Sequence, residues 1–536
     1  MLHDGSKSWG KKDIGALIFI LILACNSLVL PAGCGSSGGG SAVPPAADPS
    51  AAIINGPIIN PDNYRSINAA VAAAALVNGT VEVSDAQTLA DDLTVPSNVA
   101  LQIDHGGSID DTSNYKLTIN GPFEAGLYQV FRGFQDGQVT FGAGAVSSIT
   151  PSWWGADPTG TSSSSGAIQN AVDSLPSSGG TVFIPAGTYK ISAGGISLPD
   201  NRTGTIEIYG SGDATVLDAT GVGLTGFTSR GLFHGIGVSH VYLHDMLWNG
   251  PCTSSTPVTT PEIINGCGTY FTVYGGKTYS DITIERIHAA GFCGVALYAD
   301  AGSGDGMSYV RFIDNYIEHS AFDGININTS LSSNCAIENN TINDVGGNGI
   351  EGPADGTLIR ENKISNIKQE GILISNYGSG TVEGADVKII GNTLTGGNGD
   401  GIEMGGYGCM VSQNEVSGFA GAGIVVGSSS GTDVSGIYNI ISNNVVHGNA
   451  TGISRYTYAA TGGADIELNS NATNNLVQGN LIYNGTSAPE NYGILVDSGV
   501  TGTTITDNKI LGAYSSSPIK DFGTNTVMKL NYFGGS

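Results

Sequence analysis

Short runs of alternating apolar and polar residues recur throughout the stretch from Ser280 to Leu511. Val310-x-Phe312 and Ile325-x-Ile327 show the alternation, which is the period of a β-strand and not of a helix. Repeats of this kind cannot bury an apolar face alone, so each must stack on its neighbours. The pattern therefore predicts a parallel β-solenoid. Its clearest marks are asparagines followed nine residues later by glycine and then isoleucine, namely Asn315, Asn340, Asn362, Asn392 and Asn414, with Asn444, Asn480 and Asn508 continuing at looser spacing.

Two helical patterns precede these repeats, over residues 67–77 and 167–175, and each leads into a Gly-Thr-Val strand pattern. We expect each helix to cap the open end of a solenoid, where core and strand edges would otherwise be exposed. The duplication predicts two structural parts. The first is a small β-solenoid module over residues 53–152, and the second is a long parallel β-helix over residues 153–536.

Three segments at the start of the long part, residues 153–160, 167–172 and 180–189, resemble the opening of proteins of the pectate-lyase-like superfamily. The regular spacing of asparagine, glycine and isoleucine in the later repeats also resembles that superfamily. The resemblance implies an all-β, right-handed parallel β-helix. Because the superfamily contains lyases, glycosidases, epimerases, phage tailspikes and adhesins, the fold alone does not choose a function.

The N-terminus resembles a bacterial lipoprotein signal, because lysines and an apolar run from Ile14 to Leu30 precede Cys34. We expect removal of residues 1–33, lipidation of Cys34 and a flexible tether over residues 34–52. A plain signal peptide or a transmembrane anchor is the alternative interpretation. The expected protein is exported and touches a membrane only through its lipid.

The amino-acid composition limits the classes of molecule that the protein is expected to bind. The formal net charge is −26 and only 12% of the residues are charged. A nucleic acid is not the expected partner, because neutralising its phosphates requires a basic surface. The expected partner is a polysaccharide, and an anionic one such as pectate or alginate would need bridging Ca²⁺, whereas a neutral one would not. No other cofactor is implied.

The cysteines divide into two groups. Cys252 and Cys267 lie in one long insertion, and we expect them to form a disulfide, since export permits it. Cys335 and Cys409 occupy the same inward-facing position of the repeat. Three turns of the solenoid, which we call rungs, separate them. At about 4.8 Å per rung they are about 14 Å apart, which is too far to bridge. They are expected to be buried thiols.

The same insertion carries Tyr270 and Tyr274, and long insertions on one side of a solenoid commonly form the wall of a binding groove. Tyr377 and Tyr407 each lie fifteen residues after the asparagine of their rung, so we expect them to be neighbours. Such rings can stack against the C–H groups of sugars. In both places the alternative is aromatic packing with a purely structural role.

Acidic residues concentrate at two positions of the repeat. The residue before each Gly-Ile pair forms one column, and the residue three places later forms another beside it. Both flank inward aliphatics and should face outward. Like charges at strand spacing repel unless a cation, a proton or a substrate relieves them. The first column reads Cys293, Asp323, Asn348, Glu370, Asp400 and Ala422, and the second contains Glu351 and Glu403.

Two chemistries fit these carboxylates. Asp323-Gly324 and Asp400-Gly401 resemble the catalytic aspartates of polygalacturonases, although the basic rungs that should follow are missing. Resemblance to pectate lyases implies instead that Glu351, Glu370, Asp400 and Glu403 hold Ca²⁺ while Lys368 acts as the base. His319 is a further acid or base candidate. The structural alternative is ordinary turn chemistry, in which Asp or Asn precedes glycine.

The sequence therefore predicts an exported, polysaccharide-active β-helix protein. Its active site is expected to be centred on Glu370 and Asp400, where a glycan bound along the helix is cleaved by a glycosidase or a Ca²⁺-dependent lyase reaction. A non-catalytic carbohydrate-binding or adhesion module is the first alternative, and polysaccharide epimerisation is the second.

Overall fold

The structure is a computed structural model, and all of its described residues belong to one compact unit, Pro49–Ser536. The predicted signal and Cys34 lie outside the described residues. Within those residues no helix is long and apolar enough to cross a membrane. The described ranges are 56–223, 226–252, 265–275, 278–301, 305–328, 332–352, 354–374, 384–427, 436–450, 463–469, 471–484 and 492–534.

Two long parallel sheets form the main solenoid, as the repeats predict. In each, a strand pairs with the equivalent strand of the next rung. Sheet A has 25 described strands: Thr159–Ser163, Gly180–Phe183, Gly187–Lys190, Ile206–Asp218, Val241–Asn249, Thr278–Ala290, Gly306–Ile313, Tyr316–Glu318, Ser332–Ser333, Ala336–Glu338, Thr341–Asn343, Leu358–Arg360, Lys363–Ile367, Lys388–Ile390, Thr393–Gly397, Met410–Ser412, Glu415–Phe419, Ile440–Ser442, Val445–His447, Leu476–Gln478, Leu481–Tyr483, Thr504–Thr506, Lys509–Leu511, Val527–Lys529 and Tyr532–Gly534. Sheet B has 12: Ile196–Ser197, Gly231–Ile236, Cys267–Val273, Leu297–Ala301, Ile325–Asn328, Ile350–Glu351, Ile372–Ile374, Ile402–Met404, Ile424–Val426, Ala464–Leu468, Tyr492–Val496 and Ser517–Asp521.

The residues before Thr150 form three smaller parallel sheets that are separate from sheets A and B. Helix α1, Ile67–Ala75, begins at Ser66, whose hydroxyl caps the helix by accepting from the Ala69 amide. Helix α2, Ser165–Asp173, buries its apolar stripe, as predicted. Short 3₁₀ turns span Pro61–Asn63, Pro151–Trp154 and Thr220–Val222. The strands of the smaller sheets are Ile58–Ile59, Thr80–Val83, Ala100–Ile103 and Phe123–Ala125; Leu93–Val95, Leu117–Ile119 and Val139–Phe141; and Ala86–Thr88, Ser108–Asp110 and Phe131–Arg132.

Columns of aliphatic side chains form the core. In sheet B the isoleucine of each Gly-Ile pair lies in register with the next, and these side chains are buried. Because side chains alternate along a strand, the residue after each isoleucine must point to the opposite face. The core column thus fixes which side chains form the outer face of sheet B.

The asparagine ladder has the structural role expected for buried amides. Asn392 is 1% exposed, and its Oδ1 accepts from both the backbone amide and Nδ2 of Asn362 at 2.9 Å. Its own Nδ2 donates to the Ile359 carbonyl and to Oδ1 of Asn414. The same pattern repeats from rung to rung, so the ladder satisfies backbone groups that the turn leaves unpaired.

Candidate active site

The outer face of sheet B carries a column of residues that alternates between carboxylates and aliphatics. We call it the outward column. Glu351, Glu403 and Glu467 occupy every second rung, so adjacent carboxylates are separated by two rungs, or about 9.6 Å at 4.8 Å per rung. This spacing avoids placing like charges directly opposite each other. In order, the column contains Asn326, Glu351, Leu373, Glu403, Val425, Glu467 and Leu495.

A second column, the turn column, contains Asp323, Asn348, Glu370 and Asp400 just before these strands. The Gly371 amide donates to the Asp400 carbonyl at 2.9 Å, and the Gly349 amide donates to the Glu370 carbonyl at 3.0 Å. Glu370 and Asp400 therefore lie on adjacent rungs, as the sequence predicts. Their catalytic roles stay predictions.

The start of this column differs from the sequence prediction. Leu297 pairs with Ile325, so Val295, and not Cys293, lies beside Asp323. Tyr298 likewise takes the place beside Asn326. At this rung, counting from the later asparagines therefore selects residues two places before those that actually pair.

Side chains of the turn column also support the turn itself. The Asn348 amide donates to Oδ1 of Asp323 at 2.7 Å, and the Ala422 amide donates to Oδ1 of Asp400 at 2.6 Å. One oxygen of each aspartate is therefore engaged by backbone. These aspartates therefore stabilise the turn, and the second oxygen of Asp323 also accepts a hydrogen bond from Nδ2 of Asn326.

The first acidic centre comprises Asp323 and Glu351. Asp323 is fully buried and accepts from Nδ2 of Asn326 at 3.2 Å, while Glu351 accepts from Nδ2 of Asn348 at 2.8 Å. Burial, followed by the charge of Glu351, raises the pKa of Asp323 well above its ordinary value. Burial and the neighbouring carboxylate therefore both favour the protonated form of Asp323 over its charged form.

The second acidic centre comprises Asp400, Glu467 and Asp497. Burial raises the pKa of Asp400 to about 6. Burial, followed by the charges of Asp497 and Asp400, raises the pKa of Glu467 to about 8. At neutral pH this centre combines a carboxylate with a protonated carboxyl group, which is the arrangement that acid–base chemistry requires.

Lys368 and His319 are paired with the same carboxylate of sheet A. Lys368 Nζ lies 3.3 Å from Oδ1 of Asp344, and His319 Nδ1 lies 2.8 Å from Oδ2 of Asp344. Asp344 follows the strand Thr341–Asn343 of sheet A, and both basic side chains are partly exposed there. The predicted placement of Lys368 among the sheet B carboxylates is therefore wrong.

The predicted tyrosines lie in different settings. Tyr377 lies outside the described residues, and the residue that pairs with Tyr407 in the preceding rung is Ala385. The Tyr407 ring contacts Tyr438 of the following rung edge-on at 5.6 Å. Tyr270 lies within a strand of sheet B and not in a loop, and exposed Tyr274 follows the same strand.

The predicted disulfide has the wrong partner. Cys252 is bonded to Cys293, whereas Cys267 is a buried thiol that begins the strand Cys267–Val273. Its side chain packs with Tyr270 and Val295. The bond instead joins two neighbouring corners of the solenoid, since the Cys252 amide donates to the Gly291 carbonyl. Cys335 and Cys409 are buried thiols, as predicted.

The proposed calcium ligands do not gather into one site. Glu351 and Glu403 belong to the outward column and are separated by Leu373, while Glu370 and Asp400 belong to the turn column. Across the described residues, no group of three or more His, Cys, Asp or Glu side chains is arranged to hold a metal ion. The described side chains at these positions therefore do not fit a protein-held Ca²⁺.

Sequence reasoning missed Glu467 and Asp497. The signal for Glu467 was present, because Ile466-Glu467-Leu468 repeats the pattern of Ile402-Glu403-Met404. It was missed because the rung between Asn444 and Asn480 is longer than the others, so that counting from the asparagine placed nothing there. In the structure, Glu467 pairs with Val425 and restores the two-rung spacing.

Two family models match adjoining and overlapping parts of the chain. A model described as right handed beta helix region matches residues 332–527. A model described as rhamnogalacturonase A/epimerase, pectate lyase-like, matches residues 153–373. No curated protein matches the chain.

Solved structures show the same fold at low sequence identity. The A-module of the mannuronan C-5 epimerase AlgE6 from Azotobacter vinelandii is 18% identical with a TM-score of 0.56, and the match covers 72% of this chain and 99% of that one. The AlgE4 A-module from the same organism is 18% identical with a TM-score of 0.52, covering 71% and 99%. At this identity the likeness establishes the fold alone.

Proposed function

Because this chain is a right-handed parallel β-helix protein of the pectate-lyase-like superfamily, we propose that it binds a polysaccharide along the outer face of sheet B and hydrolyses it. The matched model for rhamnogalacturonase A/epimerase, pectate lyase-like, supports a polysaccharide as the substrate class. Export and lipid anchoring through Cys34 are part of the same proposal, since a polysaccharide substrate of this kind is extracellular.

The observation that carries the proposal is the division of protons between Glu467 and Asp400. With pKa values of about 8 and about 6, Glu467 is protonated and Asp400 is ionised at neutral pH. Glu467 is placed to protonate the glycosidic oxygen as the bond between that oxygen and the anomeric carbon breaks. Asp400 takes a proton from the water that attacks the anomeric carbon.

The spacing of the rungs suits this division of roles. Asp400 lies in the same rung as Glu403, two rungs before Glu467, so the base and the acid are separated by about 9.6 Å along the helix axis. Inverting glycosidases hold their two carboxyl groups about 6.5–9.5 Å apart to admit a water molecule. Glu403, only 6% exposed beside Asp400, is placed to orient the sugar bound between the two groups. We therefore expect inversion at the anomeric carbon.

The test is turnover on a panel of neutral and acidic polysaccharides, each with and without Ca²⁺. Hydrolysis predicts new reducing ends without unsaturated products, and no loss of activity with a chelator. Glu467→Gln and Asp400→Asn should each lower kcat by about 10²-fold or more. Glu415→Gln, which changes an exposed carboxylate of sheet A, should leave kcat unchanged.

The alternatives give different products. Unsaturated, chelator-sensitive products would indicate a lyase, altered sugar configuration at constant chain length would indicate an epimerase, and binding without any product would indicate a carbohydrate-binding or adhesion module. Any of these results overturns hydrolysis. Full activity of both Glu467→Gln and Asp400→Asn would place the chemistry elsewhere.

A further inference from the structure

Toward the N-terminal end of sheet B, the outward column contains aromatic side chains in place of carboxylates. His234, Tyr270 and Tyr298 occupy three successive rungs ahead of Asn326, in register with it. The rings of Tyr270 and Tyr298 stack with centroids 5.5 Å apart and an interplanar angle of 29°. The face that carries carboxylates farther along thus begins with aromatic rings.

Arg230 is joined to this aromatic end. Its guanidinium carbon lies 5.3 Å from the centre of the Tyr270 ring, and its Nη1 donates to the Tyr270 hydroxyl at 2.6 Å. Tyr274, which is 50% exposed, also hydrogen-bonds Tyr270. Arg230 itself is exposed. Tyr270 is only 7% exposed, so the surface that solvent reaches here is formed by Arg230 and Tyr274, and Tyr270 holds the guanidinium from beneath.

Arg230 differs from Arg286 and Arg360 in the groups that its guanidinium contacts. Arg286 and Arg360 contact Asp245 and Glu338, respectively. Within the residues that the structure describes, Arg230 has no carboxylate within ion-pair distance, and the groups that raise its pKa are Tyr270 first, then Tyr274 and Tyr298. A guanidinium has five N–H donors, and among the described residues the side-chain hydrogen bond of Arg230 is the one from Nη1 to Tyr270.

We propose that Arg230, Tyr270, Tyr274 and Tyr298 form a subsite for a sugar that carries an anionic group, either a carboxylate or a sulfate ester. The guanidinium would bind the anionic group through paired hydrogen bonds, and the exposed ring of Tyr274 would contact the C–H groups of the sugar. This inference rests on the proposed binding of a polysaccharide along sheet B.

The distance between this subsite and the carboxylates narrows the substrate class. Five rungs separate Tyr270 from Glu403, which is about 24 Å at 4.8 Å per rung. A uniformly charged polyanion would meet carboxylates along that length in a chain of net charge −26, which opposes binding. A heteropolysaccharide in which an acidic sugar is flanked by neutral sugars fits both regions.

The test compares matched oligosaccharide pairs by calorimetry. The probes are glucuronate-branched xylo-oligosaccharides with their unbranched forms, and sulfated galactan oligosaccharides with their desulfated forms. The wild type should bind the anionic member of at least one pair about tenfold or more tightly than the neutral member. The pair that shows the preference identifies the anion.

Arg230→Gln should abolish that preference by weakening the binding of the anionic member, whereas Arg311→Gln, at an exposed arginine of sheet A, should keep it. Arg230→Gly is a second variant whose folding is secure, because residue 230 has a φ of 75°, which favours glycine. Equal binding of both members by the wild type, or a preference that survives both Arg230 variants, overturns the subsite.

The failure of this inference can be distinguished from failure of the proposed function. If a neutral polysaccharide is cleaved but no anionic oligosaccharide is preferred, only the subsite is wrong. If no polysaccharide of the panel is cleaved and no oligosaccharide is bound, both proposals are wrong.

Discussion

Glu403 and Glu467 lie in the same column of sheet B with Val425 alone between them, and both side chains are nearly buried. Burying carboxylic acids costs free energy unless they are neutralised or hydrogen-bonded. Burial of Glu467 therefore disfavours its charged form and raises its pKa. The solenoid therefore keeps a protonated carboxyl group on a face where a substrate chain would lie.

The first prediction concerns stability. The pKa of Glu467 is raised from 4.5 to about 8, so the folded protein holds a proton there that the unfolded chain releases above about pH 4.5. Stability is therefore lost between pH 4.5 and 8, by about 1.4 kcal/mol per pH unit at most. Glu467→Gln should remove this loss and become the more stable protein at pH 8, as measured by urea unfolding across this range. An unchanged pH dependence, matching that of Glu415→Gln, would show that Glu467 is ionised in the folded state.

The second prediction concerns activity. The base Asp400 must be ionised and the acid Glu467 must be protonated, so kcat/KM should rise with pH through about 6 and fall through about 8. The expected profile is a bell centred near pH 7. It is measured on whichever polysaccharide the wild type cleaves, with Glu415→Gln as the control that keeps both limbs. A profile that stays flat from pH 5 to pH 9 would remove these two groups from the mechanism.

The sequence was sufficient for the fold and for part of the site. The frame of Asn392 and its equivalents fixes the register, and this places Glu370 and Asp400 on adjacent rungs as observed. The predicted position of Cys293 beside Asp323 was wrong because the rungs before Asn315 lack the repeated turn. Counting back from the later turns therefore selects a residue two places before the one that lies there. Lys368 was misplaced for another reason: its long side chain pairs with Asp344 across a corner, and such a contact has no signature in the repeat.

The third prediction concerns the asparagine ladder. Asn392→Ala removes a hydrogen-bond partner from three buried groups, which are the Asn362 amide, the Ile359 carbonyl and the Asn414 side chain. Leaving buried groups unsatisfied costs about 1–3 kcal/mol each, so we expect a loss of about 3 kcal/mol or more in the free energy of unfolding. Asn201→Ala, at an exposed turn, should cost much less in the same denaturant titration. Equal effects of the two substitutions would mean that the ladder contributes no net stability.

The fourth prediction concerns the disulfide. Non-reducing peptide mapping should recover Cys252 linked to Cys293, with Cys267 alkylated only after unfolding. Closing a loop with a sequence separation of 41 stabilises the folded chain by about 4 kcal/mol in the chain-entropy model, so Cys252→Ser should lower the unfolding free energy by a similar amount. Cys409→Ala controls for the loss of a buried thiol. Recovery of a peptide joining Cys252 to Cys267 would contradict the pairing.

The last prediction concerns Cys34, which lies outside the described residues. A charged start, an apolar run and a small-residue cleavage site precede it, and such a pattern predicts acylation of the cysteine after export. Expressed in a bacterial host, the wild type should partition with the membrane fraction, and Cys34→Ser should release the protein into the soluble fraction. Cys25→Ser should have no effect, because Cys25 leaves with the cleaved signal. Membrane retention of Cys34→Ser would instead indicate an uncleaved hydrophobic anchor, and a soluble wild type would indicate an ordinary signal peptide.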